Sequence, residues 1–294
     1  MRVGIVGAGK WGLALRYALS VKNSVLITSH RKREIEGFVD FQEIKSLEYL
    51  VIAISAQATR EWLSSHPLDE NHKILVASKG IEAKTGKFLN QIYEEFVPKE
   101  NLAFLTGPSF AKEVMEGLPT ALVVNSTNNR LSQTFCEMFP DFIKTYKSED
   151  VIGAEIAGAY KNVIAIASGI CDGLGLGNNA RASLLARGLV EMERFAVRFG
   201  GRSETFLGLS GAGDLFLTAS SKLSRNYRVG VGLAKRKSLD EILRELNEVA
   251  EGVLTSKAIV KLANEHDIYV PIASEVHKII NGKEPRESLR DLLK

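Results

Sequence analysis

The sequence predicts an α/β fold in which an N-terminal parallel-sheet domain is followed by an all-helical C-terminal domain. Short apolar runs alternate with helical segments up to Ser148, a glycine-rich turn joins the first run to the first helix, and strand patterns fade afterwards. Strands that alternate with helices are typical of parallel sheets covered on both faces. We therefore expect two domains, over residues 1–148 and 149–294.

The first element pair is a strand at Met1–Val6 and a helix that begins near Lys10, joined by the sequence GAGKWG. In this setting Gly7 allows a tight turn, Gly9 allows close approach of a diphosphate, and Gly12 allows the helix to pack on the strand. The helix N-terminus offers free N–H groups to an anion. An ordinary glycine turn is the alternative, but the strand and helix on either side favour a Rossmann-type, dinucleotide-binding domain.

A second strand is predicted at Ser24–Thr28, and the sequence SHRKR follows it at 29–33. NAD-selective sites place Asp or Glu about 20 residues after the glycines, where it binds the ribose 2′-hydroxyl. No carboxylate stands in this segment. A cation at Arg31, Lys32 or Arg33 would neutralise a 2′-phosphate, so NADP(H) is favoured over NAD(H). The alternative is that these charges are solvated and open a helix.

The remaining elements follow from apolar periodicity. In the first domain we predict strands at Tyr49–Ile54, Lys73–Ala77, Leu102–Thr106, Ala121–Val124 and Phe142–Thr145, and helical segments at Gln57–Ser64, Gly86–Phe96 and Asn129–Met138. In the second domain, one predicted helix starts at Arg181 and has a polar face of Arg187, Glu191, Arg194 and Arg198. Another follows a capping box at Ser238–Glu241. Two more span Ser256–Asn264 and, after Pro271, Ala273–Asn281.

Composition and charge restrict the function. Apolar residues make up 45% of the 294 residues and charged residues 25%, as in ordinary soluble proteins. A net charge of +3, from 38 basic and 35 acidic residues, disfavours nucleic acid as a partner. The two cysteines lack a CxxC spacing, so we expect reduced thiols and no metal. Because no apolar run approaches about 18 residues, we expect a cytoplasmic protein with no membrane span.

Candidate chemistry centres on Lys161, which lies in an otherwise small and apolar helical stretch, Ile156–Ile170. A buried ammonium must reach water, pair with an acid or lose its proton. Such a lysine can serve as an acid or base, and a structural ion-paired lysine is the alternative. Asp214, in a GAGD turn, is a candidate partner.

Further candidates follow predicted strands or open a helix. Lys79 comes after one strand and Gly107-Pro108-Ser109 after the next, and loops at the carboxyl ends of parallel strands line ligand sites. Arg225 and Asn226 open a helix behind Ser224, where guanidinium, amide and N–H groups can converge on a phosphate. A capped surface turn with a solvated arginine is the alternative.

Eight segments occur together in one order along nearly the whole chain. They are GAGKWGLAL (7–15), SKGIE (78–82), GPSFAKE (107–113), AGAYKNVIAI (157–166), GLGNNARA (175–182), GAGDL (211–215), SRN (224–226) and EG (251–252). In this order they closely resemble the NAD(P)-dependent glycerol-3-phosphate dehydrogenases of the soluble bacterial type. The resemblance implies hydride transfer between dihydroxyacetone phosphate and sn-glycerol 3-phosphate, which supplies the phospholipid backbone.

The resemblance also implies roles for individual residues. Lys161 matches the catalytic lysine, with Lys79 and Asp214 beside it. The implied substrate contacts are Lys79, Gly107, Ser109, Lys161, Asp214, Ser224, Arg225 and Asn226. The implied cofactor contacts, besides the three glycines of the turn, are Lys10, Trp11, His30, Arg31, Lys79, Ala111, Arg225, Val249 and Glu251. The family also implies NADP or NAD as cofactor, no metal, and a homodimer.

One departure and two alternatives accompany this interpretation. The connection between Thr28 and Tyr49 is shorter than we expect for the family, and it flanks the adenosine end, so it bears on the choice between NADP and NAD. A related β-hydroxyacid dehydrogenase acting on a carboxylate is one alternative, disfavoured by GPSFAKE and SRN. A non-catalytic NADPH-sensing protein is the other alternative. It is disfavoured because a sensor does not need the whole set of Lys79, Lys161, Asp214 and Arg225.

Overall fold

The computed structural model describes residues 1–247 and 250–292, and the chain divides into two compact units. One unit comprises Met1–Lys79 with Leu89–Ala154, and the other comprises Gly80–Phe88 with Glu155–Lys294. The sequence places 80–88 in the first domain, whereas the structure groups this segment with the helical unit. The Phe88 ring packs edge-on against Phe199, with centroids 5.3 Å apart.

The first unit is built on a seven-stranded sheet. Its strands are β1 (Arg2–Val6), β2 (Ser24–Thr28), β3 (Tyr49–Ile52), β4 (Lys73–Val76), β5 (Leu102–Thr106), β6 (Thr120–Asn125) and β7 (Ile143–Ser148), in the order β2-β1-β3-β4-β5-β6-β7. All neighbours are parallel except β5 and β6, which are antiparallel. The predicted Rossmann-type sheet is confirmed, and the sequence gives no sign that β6 and β7 run antiparallel to the other five strands.

Helices of the first unit are α1 (Lys10–Ser20), α2 (Phe41–Lys45), α3 (Thr59–Ser65), α4 (Leu89–Tyr93), α5 (Ala111–Met115) and α6 (Asn129–Glu137). Alternate strand residues face opposite apolar layers. Val3 and Ile5 lie in one layer with Leu15, and Val6 lies in the other with Ile52.

The predicted helix at Gly86–Phe96 is wrong over its first residues, because Gly86 has a φ of +81°. An isolated antiparallel bridge also joins Ile81 to Phe88. The helix in this region, α4, therefore begins at Leu89.

The second unit is helical. Its helices are α7 (Val151–Gly173, which joins this unit from Glu155), α8 (Gly177–Arg198), α9 (Ser203–Leu207), α10 (Asp214–Ala219), α11 (Arg225–Ala234), α12 (Leu239–Leu246), α13 (Glu251–Glu265), α14 (Pro271–Ile280) and α15 (Pro285–Leu292). The predicted cap of α12 is confirmed, since the Ser238 hydroxyl accepts the Glu241 N–H. Helix α7 is long and apolar enough to cross a membrane by length and composition alone, but 89% of its most apolar window is buried within the protein, as in a core helix.

Glu191 corrects the predicted polar face of α8, since only 2% of it is exposed. Its carboxylate accepts the backbone N–H groups of Ile272 and Ala273, both at 2.9 Å, and the Tyr160 hydroxyl at 2.8 Å. It therefore caps the first turn of α14, where N–H groups lack partners within the helix. Burial raises the pKa of Glu191, and the three donated hydrogen bonds oppose that rise only in part.

We predict that Glu191→Gln lowers the free energy of unfolding by about 1–3 kcal/mol, because both carboxyl oxygens of Glu191 accept hydrogen bonds and the amide nitrogen of glutamine accepts none. The raised pKa means that the folded state keeps its proton at pH values where the unfolded chain has lost it. The stabilisation by Glu191 is therefore fully present below pH 4.5 and declines as the pH rises through the folded pKa.

Urea unfolding at several pH values between 4.5 and 7 measures this dependence, with Glu193→Gln on the same helix as the control. The deficit of Glu191→Gln should be largest at the acidic end. A deficit that grows as the pH rises would contradict the assigned direction of the shift.

Candidate active site

The glycine turn between β1 and α1 has the conformation that its sequence predicts. Gly7 has a φ of +111°, in the left-handed region that favours glycine. A Cβ on Gly12 would overlap the Gly7 carbonyl oxygen, so α1 and the end of β1 are in direct backbone contact. The predicted tight turn at Gly7 and close packing at Gly12 are both confirmed.

Gly9 differs from the other two glycines, because a Cβ there would meet no heavy atom within 4 Å. It is the N-cap of α1 and, as a glycine, brings no side chain of its own to cap the first turn of that helix. Trp11, in that turn, donates its indole N–H to the Ala77 carbonyl at 3.1 Å, which ties α1 to the end of β4. Space, N–H groups and the positive end of the helix dipole together fit a diphosphate.

The basic segment after β2 forms a loop, so the alternative in which its charges open a helix is wrong. The Ser29 hydroxyl donates to the Arg31 carbonyl at 2.7 Å, and His30 and Arg31 are both exposed. The chain then returns alongside β2, where Ile27 and Phe38 form a parallel bridge. The short connection noted in the sequence thus consists of a loop folded back onto the edge strand, followed by α2.

Three predicted residues of the first unit meet at the carboxyl ends of β4 and β5. The Lys79 Nζ lies 3.4 Å from the Gly107 carbonyl oxygen, and the Ser109 hydroxyl donates to the same oxygen at 3.2 Å. Gly107 has a φ of +110°, and a Cβ there would lie 3.0 Å from the Ala121 carbonyl oxygen. Ala111 is the first residue of α5 nearby in sequence.

In the second unit, Lys161 lies on α7 with only 6% of its surface exposed. Its ammonium forms an ion pair with the Asp214 carboxylate and donates to the Thr218 hydroxyl at 3.0 Å. Asp214, 1% exposed, begins α10 directly after a π-helical turn at Leu209–Gly213. The structure thus brings together the lysine and the acid that the sequence singled out.

Thr218 is a residue that the sequence analysis missed. It lies one helical turn after Asp214, and its hydroxyl is also 3.4 Å from the Asp214 carboxylate. The i, i+4 spacing after the GAGD turn was the available signal, since residues at this spacing share a helix face. An ammonium fixed by two acceptors is well placed to exchange a proton with a ligand atom beside it.

The first turn of α11 is held by buried polar contacts. The Ser224 hydroxyl caps it by accepting the Tyr227 N–H at 3.2 Å. The Asn226 amide donates to Asn162 at 2.9 Å and accepts the Gly252 N–H at 3.0 Å. Asn162 and Gly252 were not predicted as site residues, although both lie in segments that carry the resemblance.

Other predicted residues stand as follows. Arg225 is exposed at the first position of α11, beside the buried Asn226. Lys10 is exposed at the start of α1, Glu251 begins α13, and Val249 lies outside the described residues. Among residues 1–247 and 250–292, no group of three or more His, Cys, Asp or Glu side chains is placed to hold a metal ion.

A dinucleotide-type glycine turn on a parallel sheet and a buried, acid-paired lysine in a helical unit define a class, the nicotinamide-dependent dehydrogenases with a second, helical domain. Two family models narrow it: "NAD-dependent glycerol-3-phosphate dehydrogenase N-terminus" matches residues 38–132, and its C-terminus counterpart matches 150–290. The chain belongs to the NAD-dependent glycerol-3-phosphate dehydrogenase family.

Relatives of this family match the whole chain. A protein of Nitratiruptor sp., named glycerol-3-phosphate dehydrogenase [NAD(P)+], is 64% identical over 100% of this chain and 98% of its own length. One of Sulfurimonas denitrificans, with the same name, is 61% identical over 99% of each. The crystal structure of glycerol-3-phosphate dehydrogenase from Coxiella burnetii superposes with a TM-score of 0.92 at 32% identity, covering 100% and 98% of the two chains. The resemblance found in the sequence is confirmed.

We predict that Gly12→Ala lowers the free energy of unfolding by about 1–3 kcal/mol, because the new methyl group must displace the Gly7 carbonyl. Gly9→Ser is the matched control. Its side chain enters open space, serine is a favourable N-cap, and stability should change by no more than about 0.5 kcal/mol. Urea unfolding of both variants measures the difference, and equal losses would contradict the close-packing role of Gly12.

Proposed function

We propose that this chain interconverts dihydroxyacetone phosphate and sn-glycerol 3-phosphate with NAD(P)(H), and that it acts in the cytoplasm to supply glycerol 3-phosphate for phospholipid synthesis. The observation that carries the proposal is the buried Lys161–Asp214 ion pair in a chain of this family. A homodimer is the expected assembly. No metal takes part in the proposed reaction.

Lys161 is the proposed acid–base group. A bound NAD(P)H supplies a hydride to C2 of the ketone. As negative charge develops on the C2 oxygen, the Lys161 ammonium stabilises it and gives it a proton, and in the oxidation of the alcohol the lysine takes that proton back. Asp214 and Thr218 keep Nζ in place through both directions. Ketone, hydride and proton together balance to the alcohol.

The phosphate provides binding energy at a distance from C2. We propose that Arg225 contacts it from the exposed first position of α11, together with Ser224 and Asn226 in the same turn. From the first unit, we propose Lys79, Gly107 and Ser109 as substrate contacts. Uniform binding of this kind should lower KM more than it raises kcat.

For the cofactor, the open space at Gly9 and the glycine N-cap of α1 support a diphosphate site formed by the turn Gly7–Gly12. The remaining proposed cofactor contacts are Lys10, Trp11, His30, Arg31, Lys79, Ala111, Arg225, Val249 and Glu251. NADP(H) is the proposed preference, because the loop after β2 presents cations and no carboxylate at 29–33.

Three reactions separate this function from its alternatives. NADPH absorbance is followed with dihydroxyacetone phosphate, with a β-keto acid, and with no substrate. Oxidation with dihydroxyacetone phosphate alone supports the proposal. Oxidation with the keto acid alone would favour a β-hydroxyacid dehydrogenase, and NADPH binding without oxidation in any reaction would favour a sensor.

Lys161→Ala should lower kcat by about 10²–10⁴-fold, because the C2 oxygen loses its proton donor. NADPH affinity should stay nearly intact. Removing the ammonium also leaves the Asp214 carboxylate buried without its cation, which is destabilising, so folding of the variant is checked by circular dichroism. Fluorescence titration measures NADPH affinity, and Lys257→Ala on an exposed face of α13 is the control. Turnover in Lys161→Ala equal to wild type would refute the assigned role.

Arg31→Ala should raise KM for NADPH by about tenfold and leave KM for NADH unchanged, because only NADPH carries a 2′-phosphate for the guanidinium to bind. Lys32→Ala and Arg33→Ala, assayed in parallel, identify which of the three cations acts. Steady-state kinetics with both cofactors measures the effect. The proposed preference fails if wild-type kcat/KM is higher with NADH, or if no variant separates the two cofactors.

A further inference from the structure

A second polar cluster lies in the helical unit and has no role in the reaction described so far. Asp172, near the end of α7, accepts the Tyr227 hydroxyl at 2.6 Å and the Arg181 guanidinium at 2.8 Å, both on Oδ2. Arg181 also donates to the Asn178 side chain at 3.0 Å. Tyr227 is only 7% exposed. The cluster joins the start of α8 and the start of α11 to the end of α7.

Tyr227 is the third residue of α11, directly after Arg225 and Asn226. Its backbone N–H is held by the Ser224 hydroxyl, and its side-chain hydroxyl is held by Asp172. Burial, followed by the hydrogen bond and the charge of Asp172, raises the pKa of Tyr227 to about 12, so the hydroxyl remains a donor at neutral pH. The turn that presents Arg225 is therefore fixed at both its backbone and a side chain.

Helix α7 holds this turn at two separate points. Asn162 binds Asn226, and Asp172, ten residues further on, binds Tyr227. Ten residues span about 15 Å of helix. Together with the Gly252 contact of Asn226, two attachments so far apart restrict the direction of the first turn of α11 more than either attachment would alone.

Glycine contacts bring the two helices together between these points. A Cβ on Gly169 would overlap the Tyr227 carbonyl oxygen, and one on Gly230 would overlap the Ile166 carbonyl oxygen. The backbones of α7 and α11 are thus in direct contact. These backbone contacts set the distance between the two helices, and the hydrogen bonds of Asn226 and Tyr227 set the orientation of the first turn of α11 at that distance.

We propose that Tyr227 and Asp172, with Arg181 as the counter-charge of Asp172, are positioning residues that orient the first turn of α11 so that Arg225 meets the phosphate of the substrate. The inference rests on the proposed function. It assigns to Tyr227 and Asp172 an effect on phosphate binding that is exerted through Arg225, with no contact to the substrate. Arg181 compensates a carboxylate that would otherwise be partly buried without a cation.

The test is steady-state kinetics of the full chain with NADPH and dihydroxyacetone phosphate, for wild type, Tyr227→Phe, Asp172→Ala and the double variant. Tyr227→Phe removes one hydroxyl and keeps the ring. It should raise KM for dihydroxyacetone phosphate by about 5–20-fold, with kcat within about twofold and KM for NADPH unchanged. The double variant should match Asp172→Ala, because both changes remove the same contact. Asp172→Asn keeps an acceptor for the Tyr227 hydroxyl, so its KM for dihydroxyacetone phosphate should rise less than that of Asp172→Ala.

The control is Tyr269→Phe, which removes a hydroxyl from a tyrosine that is 68% exposed, and it should leave all three constants unchanged. An unchanged KM for dihydroxyacetone phosphate in Tyr227→Phe would overturn the inference. The inference would also be overturned if Tyr227→Phe lowered kcat, raised both KM values and lowered the melting temperature together. That result would indicate that the Tyr227–Asp172 hydrogen bond is purely structural. A wild-type protein that does not oxidise NADPH with dihydroxyacetone phosphate would instead overturn the proposed function itself.

Discussion

The burial of one ammonium group sets the arrangement of the helical unit. Lys161 is almost completely removed from water on an apolar helix, and an ionised side chain in such a place is stable only when it is paired and hydrogen-bonded. Asp214 and Thr218 meet that requirement from a segment 53 to 57 residues further along the chain. Both side chains belong to one short helix, α10, and the π-helical turn at Leu209–Gly213 directly precedes that helix. Turns of this type often occur at functional sites, where they redirect the residues that follow.

Close contacts between backbones fix the positions of the other buried polar groups. Gly169 and Gly230 allow backbone contact between α7 and α11, and Gly12 allows it between α1 and the glycine turn. A Cβ on Gly252 would lie 2.7 Å from the Asn162 carbonyl oxygen. Where two backbones touch, their spacing cannot drift with side-chain rotamers, so short amide and hydroxyl groups can bridge elements. The Asn162–Asn226–Gly252 hydrogen bonds depend on this spacing. In both units, glycines therefore determine where the polar groups lie as much as the polar residues themselves do.

Local sequence signals predicted much of the fold and of the candidate site, whereas pairings between distant residues could not be predicted. The glycine turn, the apolar strands, the Ser238 cap and the Lys161–Asp214 pair were accessible because each follows from spacing or from the energetic need of one residue. Glu191 was misassigned, because a helical pattern places it among the charged residues of α8 and cannot show that its partners are backbone N–H groups 81 and 82 residues away. The reversal of β6 and β7 was equally hidden, since a buried strand has the same apolar pattern in either direction. The resemblance favoured the phosphate-binding role proposed for Arg225, because the helix start behind Ser224 is equally typical of a capped surface turn.

The start of α11 carries one buried and one exposed polar residue, Asn226 and Arg225. The buried amide of Asn226 is engaged by Asn162 and Gly252, whereas Arg225 is exposed. Groups engaged inside the protein give rigidity, and the ordering of the turn is then part of folding and is not repeated at each binding event. A flexible turn carrying the same arginine would have to be ordered by the substrate, at the expense of affinity. For a small ligand whose one strongly charged group is a phosphate, fixing the cation before the ligand arrives is a direct way to combine adequate affinity with correct placement of C2.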